Sequence, residues 1–406
     1  MSTYRDVAAI GEFRALLGGR AAGGVAATMQ MLALAVLIYA RTGSPLLAAF
    51  AYVASSLPQM LAAATLMAIA DRVPPRRLLA SWQLLHALAA TLLATGVLPI
   101  WAALLLLMTA GAGDGVVGGA GYALLADVLP GQYVLGWSIL NMADGAMQIA
   151  GYGAGGVLIS ALGPRQALWA AAGFTALSAV LYRFGLRKRP ARSAGSGGAS
   201  FRRTWQNNRA LLASRRVRIL LLAQWLPNGL IVGAEALYVP YAGKSAGVLF
   251  TAAAAGMLAG DAIVGRWTTT RQRARLALPL YALLAAPYLV FLTHPGVIEA
   301  AGLVAAASFG YSACLGLQER FLQAVPGQVS GQALGLAGAG MMTVQALAAA
   351  CTGALAGLLP AGAVMAIAGA ASLLTSAVLL SRLRGGERVT EPGGSRRADP
   401  ASPHIA

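Results

Sequence analysis

Long apolar stretches alternate with short polar turns along almost the whole chain. A helix needs roughly 20 apolar residues to cross the hydrocarbon core of a membrane, and about twelve stretches approach that length. They lie near residues 22–40, 45–70, 77–97, 100–126, 133–161, 166–184, 217–240, 246–266, 276–293, 297–318, 331–358 and 361–381. The pattern predicts an all-α membrane protein with about 12 transmembrane helices.

The apolar pattern is interrupted once, by a segment rich in Arg, Ser and Gly, and it stops near the C-terminus. We therefore predict a six-helix bundle over 1–186, a basic cytoplasmic linker over 187–216, a second six-helix bundle over 217–383 and a disordered cytoplasmic tail over 384–406. Part of the linker is compatible with an amphipathic surface helix.

The two halves share sequence landmarks. Pro130-Gly131-Gln132 opens the fifth segment, and Pro326-Gly327-Gln328 opens the eleventh, at an offset of 196. Arg72 ends the second segment and Arg266 ends the eighth, at an offset of 194. Two matches at nearly one offset predict pseudo-symmetric halves, an arrangement found in many secondary transporters.

Composition agrees with a membrane location and predicts an orientation. Hydrophobic residues make up 58% of the chain, charged residues only 11%, and the net charge is +17. With a cytoplasmic N-terminus, only Arg41, Arg165 and Lys244 fall in outer loops, as the retention of basic residues inside requires. We expect both termini in the cytoplasm, and the arginines to contact anionic lipid rather than nucleic acid.

The first twenty residues do not resemble a removable signal peptide. The Arg-, Ala- and Gly-rich composition is typical of a GC-rich bacterial genome, so we expect a bacterial plasma membrane.

Charged residues at bilayer depth are costly, which makes each one a functional candidate. Asp114, Asp144 and Glu235 are candidates for proton coupling, whereas Asp261, close to Arg266, is better explained as structural. Asp144 lies 14 residues after Pro130, roughly 21 Å along a helix. Desolvation disfavours the charged form of a carboxylate at that depth. The alternative is that all three acids only form hydrogen bonds between helices.

Polar residues on two segments recur at helical spacing. Asn141, Asp144, Gln148 and Tyr152 share one face of the fifth segment, and Gln224, Asn228 and Glu235 share one face of the seventh. We therefore predict Asn141, Gln148, Tyr152, Gln224 and Asn228 as residues of a substrate cavity.

A charge cluster, Asp71, Arg72, Arg76 and Arg77, lies between the second and third segments around Pro74-Pro75. With the six-plus-six layout, it resembles the major facilitator superfamily, whose signature Gly-x-x-x-Asp-Arg-x-Gly-Arg-Arg lies in this loop. Here Met67 and the two prolines replace the glycines. Thr42 to Leu46, Leu57-Pro58 and Ala70 to Pro74 are more similar to the enterobactin and macrolide exporter branch.

The resemblance implies that the cluster gates the cytoplasmic side, with Asp127 as the partner of the arginines and Glu319 as a candidate in the second half. The alternative is that the arginines only fix topology. Exporters of the family often carry an arginine where Asp114 stands, and a proline where Tyr152 stands. These departures weaken the inference of proton antiport from the resemblance alone.

Taken together, the sequence predicts an alternating-access secondary transporter, a proton-coupled exporter of small amphipathic or cationic organic molecules. The alternatives are a gradient-independent facilitator or uptake carrier of a metabolite, and a non-transporting membrane sensor or scaffold. A membrane enzyme is disfavoured because no nucleophile motif is present and the histidines are scattered. We predict no cofactor and no metal site, and a monomer suffices for this architecture.

Overall fold

The computed structural model describes residues 7, 9–55, 58–59, 62, 73–129, 133–190, 201–326 and 330–389. Every regular element in these residues is helical. The N-terminal half contains α1 to α6. Their bounds are Gly11–Thr42, Pro45–Val53, Pro75–Thr95, Ile100–Val128, Tyr133–Leu162 and Pro164–Gly185.

The C-terminal half begins after a linker helix, α7, Phe201–Ala213, which packs on the helices α8 and α14 defined next. The remaining helices, α8 to α15, are Arg215–Glu235, Tyr238–Ala242, Ala246–Trp267, Thr270–Ala285, Val297–Gly310, Ala313–Ala324, Ser330–Leu355 and Ala361–Val389. Two 3₁₀ segments, Gly243–Ser245 and Ala286–Thr293, continue α9 and α11.

Helix length and apolarity agree with the predicted membrane fold. Nine helical stretches within the described residues are long and apolar enough to cross a membrane. One of them, Arg215–Trp267, includes helices on both sides of Gly243 and so covers two predicted segments. The predicted all-α membrane fold is confirmed in the described residues.

The predicted start of the first helix was wrong by eleven residues. α1 begins at Gly11 rather than at residue 22, so Glu12, Arg14 and Arg20 belong to the helix. Apolar side chains such as Phe13 and Leu16 are buried in this early part, which explains why the helix continues through the charged residues. At the other end of the chain, α15 extends to Val389, beyond the predicted end at residue 383.

Capping residues set the starts of several helices. Ser44 accepts a hydrogen bond from the backbone N–H of Leu47 just before Pro45, the first residue of α2. Thr269 and Gln272 form a reciprocal capping box at the start of α11. Such caps satisfy backbone N–H groups that have no partner inside the helix.

We call the end of the bundle at which α6 ends and α8 begins the linker side, and the opposite end the far side. Two tight turns on the far side depend on glycine. Gly43 (φ 64°) and Gly96 (φ 70°) adopt the left-handed conformation and cap α1 and α3, where glycine avoids the steric cost of a Cβ. His294 (φ 53°) takes the corresponding position in the C-terminal half.

The two halves pack closely on the far side, through α5 against α10 and α2 against α14. Glycines make this approach possible. A Cβ built on Gly247 would lie 2.5 Å from the Cα of Gly156, and a Cβ on Gly353 would lie 3.0 Å from the Cα of Leu46. Side chains at these positions would force the helix backbones apart.

Gly247→Ala should therefore favour a state that is open on the far side. Overpacking of a close contact costs about 1–3 kcal/mol, enough to change the ratio of two states several-fold. Spin labels at Val97 and Leu358, exposed on the far side of the two halves, would report the change as longer distances. The labelling requires a background without Cys314 and Cys351.

Gly173→Ala is the matched control, because a Cβ on Gly173 has no atom of another residue within 4 Å. An unchanged distance distribution in Gly247→Ala would show that this contact does not determine the conformational equilibrium.

Candidate functional site

A central cavity of about 340 Å³ lies between the two halves, within the size range of small-molecule pockets. Helices of both halves contribute to its wall. The lining residues are Met31, Tyr52, Val53, Gln148, Asn228, Ile231, Val232, Glu235, Met257, Leu284, Ser308, Tyr311, Met342 and Gln345. The wall is mostly apolar and includes amide, hydroxyl and carboxylate groups.

Glu235 is the one acidic residue among the described residues of this lining. It is the last residue of α8. Among the described residues its carboxylate has no hydrogen bond and no ion pair, and no Arg, Lys or His lines the cavity. A carboxylate in an apolar wall without a counter-ion is poised to bind a proton or a cationic ligand.

The course of α8 explains how its polar residues are placed. Pro227 lies inside the helix, and its carbonyl accepts a hydrogen bond of 2.9 Å from the Ser372 hydroxyl of α15. One residue later, Asn228 faces the cavity and its amide contacts Met341 Sδ at 3.2 Å. Gln224 is buried and donates to the Leu220 carbonyl of its own helix at 3.3 Å. The structure therefore brings Asn228 to the cavity and leaves Gln224 in the helix packing.

The predicted polar face of α5 divides into separate environments. Gln148 lines the central cavity. Tyr152 is buried and stacks on Phe250, with ring centroids 4.9 Å apart. Asp144 is bound to Arg20 of α1, as described below, and the side chain of Asn141 lies outside the described part of the structure.

Arg20 and Asp144 form a bidentate ion pair. Arg20 Nε donates to Asp144 Oδ1 at 2.8 Å, and Nη2 donates to Oδ2 at 2.7 Å. The side chains are 27% and 37% exposed, respectively. Two parallel charge-assisted hydrogen bonds stabilise the ionised carboxylate. The pair therefore links α1 to α5 inside one half, and the apolar run through Phe13 and Leu16 was the sequence signal that could have placed Arg20 in a helix.

Asp114 lies in a second cavity, inside the N-terminal half. Trp82 Nε1 donates to Asp114 Oδ1 at 2.9 Å, and His86 Nε2 lies 3.5 Å from the same oxygen. The Trp82 ring packs over Gly113, where a Cβ would lie only 1.8 Å from the ring. The glycine thus allows the indole to reach the acid on the next residue.

An aromatic cluster surrounds Phe250 near the far ends of the helices. Tyr52 and Tyr152 stack on Phe250, and Tyr238 meets it edge-on, with centroid distances of 5.2, 4.9 and 4.9 Å. The Tyr238 hydroxyl is 2.7 Å from that of Tyr288. Residues of both halves therefore cover the far side of the central cavity with a layer of packed rings.

The predicted gating cluster is only partly described. Asp71 and Arg72 lie outside the described residues. Arg76 Nη1 donates to the Leu186 carbonyl, just beyond the end of α6, at 3.3 Å, and Arg77 is exposed. Arg76 therefore ties α3 to the beginning of the linker.

Other charges on the linker side pair within their own half. Glu12 of α1 binds the Arg189 guanidinium and accepts the Arg187 backbone N–H at 3.0 Å. The hydrogen bond to Glu12, with a smaller contribution from Asp127, raises the pKa of Arg189. Glu319 accepts hydrogen bonds from Thr270 and Arg273 at 2.7 and 3.5 Å. Glu319 is thus placed with residues of α11 in the C-terminal half rather than with Arg76 or Arg77.

No group of three or more His, Cys, Asp or Glu side chains that could hold a metal ion occurs in the described residues.

The helical fold, the apolar spans and a cavity between two halves define a membrane transport protein. The sequence profile of the Major Facilitator Superfamily matches residues 16–319, and the chain belongs to this family. It is a multi-pass membrane transporter and not an enzyme. No curated protein sequence matches the chain, and its closer resemblance to the enterobactin and macrolide exporter branch stays a prediction.

Solved structures share the fold at low sequence identity. A POT family transporter in complex with a thioalcohol-conjugated peptide has a TM-score of 0.71 at 12% identity, covering 93% of this chain and 96% of that one. The nucleoside transporter NupG has a TM-score of 0.69 at 10% identity, covering 93% and 99%. The human organic anion transporter MFSD10 has a TM-score of 0.61 at 17% identity, covering 93% and 100%.

Asp144→Asn should destabilise the protein by about 1–3 kcal/mol, because it leaves the partly buried Arg20 guanidinium without its anionic partner. The double variant Arg20→Gln/Asp144→Asn should recover part of the loss. Thermal unfolding in detergent measures both effects. Additive losses in the double variant would show that the two side chains do not stabilise each other.

Proposed function

We propose that this transporter is a proton-coupled exporter of small amphipathic or cationic organic molecules, working by alternating access. The observation that carries the proposal is Glu235, a carboxylate without a counter-ion in the wall of the central cavity. One site that takes either a proton or a cation can couple their movements, because each excludes the other.

The orientation in the membrane follows from the basic residues. Exposed Arg187, Lys188, Arg215, Arg216 and Arg218 lie at or near the linker, and basic residues are retained on the cytoplasmic side. We therefore place the linker side in the cytoplasm of a bacterial cell. With the far side closed by the aromatic cluster and the glycine contacts, the described conformation corresponds to a cavity loaded from inside.

The lining of the cavity supports a cationic amphipathic substrate. Met31, Met257 and Met342 offer flexible, polarizable contacts that adapt to different apolar shapes. Gln148, Asn228 and Gln345 offer amide groups that can donate or accept hydrogen bonds. A positive charge on the substrate would be neutralised by Glu235, the acid of this wall.

Export would follow from exchange at Glu235. A cationic substrate entering from the cytoplasm binds the ionised carboxylate, and the halves then rock to open the far side. Protonation of Glu235 from the more acidic exterior releases the cation, and the protonated carrier returns. Asp144 takes a different role in this scheme, since its pairing with Arg20 supports a fixed link between α1 and α5.

We further propose that Asp71, Arg72, Arg76 and Arg77, together with Asp127, control closure of the cytoplasmic side. The contact of Arg76 with the Leu186 carbonyl supports this assignment. The contact fixes the start of α3 against the base of the linker, which joins the two halves.

Everted vesicles with an acidified interior provide the test. A substrate amine added outside should release luminal protons, seen as recovery of a pH-sensitive dye, through the wild type but not through Glu235→Gln. The amide keeps the size of the side chain and removes its charge. Asp261→Asn is the matched control, since Asp261 is an acid of α10 outside the cavity wall.

Proton release that persists in Glu235→Gln would remove Glu235 from the coupling step. If a broad panel of amines releases no protons while labelled amine still equilibrates across the membrane, a gradient-independent facilitator becomes the better description. The Arg20–Asp144 pair favours that second candidate, because an acid held by an arginine is not available to carry protons. If no compound is transported or bound, a sensor or scaffold would be the remaining alternative.

A further inference from the structure

The second cavity, of about 260 Å³, is lined in the described part of the structure by residues of the N-terminal half. Its walls come from α1, α3, α4, α6 and the segment that contains α2 and Gln59. A ligand between the halves changes sides when they rock, but a ligand inside one half moves with that half. An occupant of this intrabundle cavity would therefore stay bound during transport.

Polar side chains of several helices meet in the intrabundle cavity at mid-membrane depth. The ones that matter for recognition are Gln30, Ser55, Gln83, Asp114 and Thr175. Buried polar groups in an apolar bundle cost free energy unless they find partners. Their convergence on one space of this size indicates a binding site rather than a packing defect.

Asp114 gives the site its charge. One oxygen accepts the Trp82 indole N–H, and the side chain is 41% exposed. No Arg or Lys is among the described residues that line the cavity. By contrast, Glu12, Asp144 and Glu319 each pair with an arginine.

His86 lies beside the acid. Its side chain is 20% exposed, yet Nε2 is buried and has no hydrogen-bond partner among the described residues. The 3.5 Å approach to Asp114 does not meet hydrogen-bond geometry. Because Nε2 is closed off from the cavity, His86 forms wall beside Asp114 and is not a contact for the ligand.

We propose that the intrabundle cavity binds a small organic cation, a protonated amine, through Asp114. The ammonium group would pair with the Asp114 oxygen that does not accept the Trp82 indole N–H. Hydroxyl and amide oxygens such as those of Ser55 and Gln83 can accept its remaining N–H groups.

The size of the cavity distinguishes this ligand from a metal ion. Hard cations such as calcium need several oxygen ligands about 2.3–2.6 Å away, whereas 260 Å³ equals the liquid volume of roughly nine waters. A space that large fits an organic ion with a short apolar chain. Ala27, Ala51, Leu107 and Ala110 supply apolar wall for such a chain.

The intrabundle cavity also has a route of communication with the transport path. Met31 contributes to the walls of both cavities. An amine held beside Asp114 would restrict the conformations of Met31 and so change the shape of the central cavity. We infer a modulatory role for this site, and binding there can be tested without any transport assay.

The test uses full-length protein in detergent, with n-propylammonium chloride as the probe and sodium chloride at the same concentration as reference. All variants carry Glu235→Gln, so that the central cavity cannot bind the cation by charge. The amine should raise the melting temperature of this parent by about 2 °C at saturating concentration. Adding Asp114→Asn should abolish the shift.

Two further variants separate binding from misfolding. Ala110→Leu fills the cavity without changing a charged group and should also abolish the shift. Asp261→Asn removes an intramembrane acid that lines neither cavity and should keep it. An equal shift with sodium chloride, or a shift that survives both Asp114→Asn and Ala110→Leu, would overturn the proposal. So would the absence of any shift in the parent.

Discussion

The structure depends on how each ionised side chain inside the bilayer is neutralised. An unpaired charge at the centre of a membrane costs about 2.5–3.5 kcal/mol on insertion scales, so an acid must find a cation or face a polar space. Asp144 meets the requirement with Arg20 of a neighbouring helix, and this pair links α1 to α5. Glu235 and Asp114 meet it by facing cavities. The acids that face cavities therefore mark where ligands can bind, and the paired acid marks a fixed part of the bundle.

Small residues determine which surfaces of the two halves can move apart. On the far side, Gly156 and Gly247 bring backbones into contact, and the salt bridges found among the described residues do not join the two halves there. Contacts of this kind are individually weak and lost over short displacements. By contrast, the ion pairs of Glu12 and Glu319 lie within single halves. The arrangement suits alternating access, because rigid halves are joined by an interface that can separate at low cost.

Much of the fold could be predicted from hydrophobic periodicity and the repeated Pro-Gly-Gln motif, because membrane-spanning helices must satisfy their own backbone hydrogen bonds. The site was less predictable. Gln148, Asn228 and Glu235, which helical spacing places on polar faces, line one space in the structure, but the spacing could not show that Gln224 turns to the Leu220 carbonyl. Nor could it show that Asp144 is paired, because the charged residues up to Arg20 made the predicted first helix begin at residue 22, after Arg20. Partners 124 residues apart are set by tertiary packing, which a single sequence does not display.

The two cavities differ in where their acids lie. Glu235 lines the space between the halves, and Asp114 lies inside the N-terminal half. A carboxylate between the halves experiences both sides of the membrane in turn, so its protonation can be linked to direction. A carboxylate inside one half experiences no such alternation, and a ligand there can only change the energy of states that already exist. Met31 borders both spaces, so its flexible side chain connects them physically. Coupling through Met31 requires that its preferred rotamer differ between the occupied and the empty intrabundle cavity. A ligand packed beside Asp114 would produce that difference.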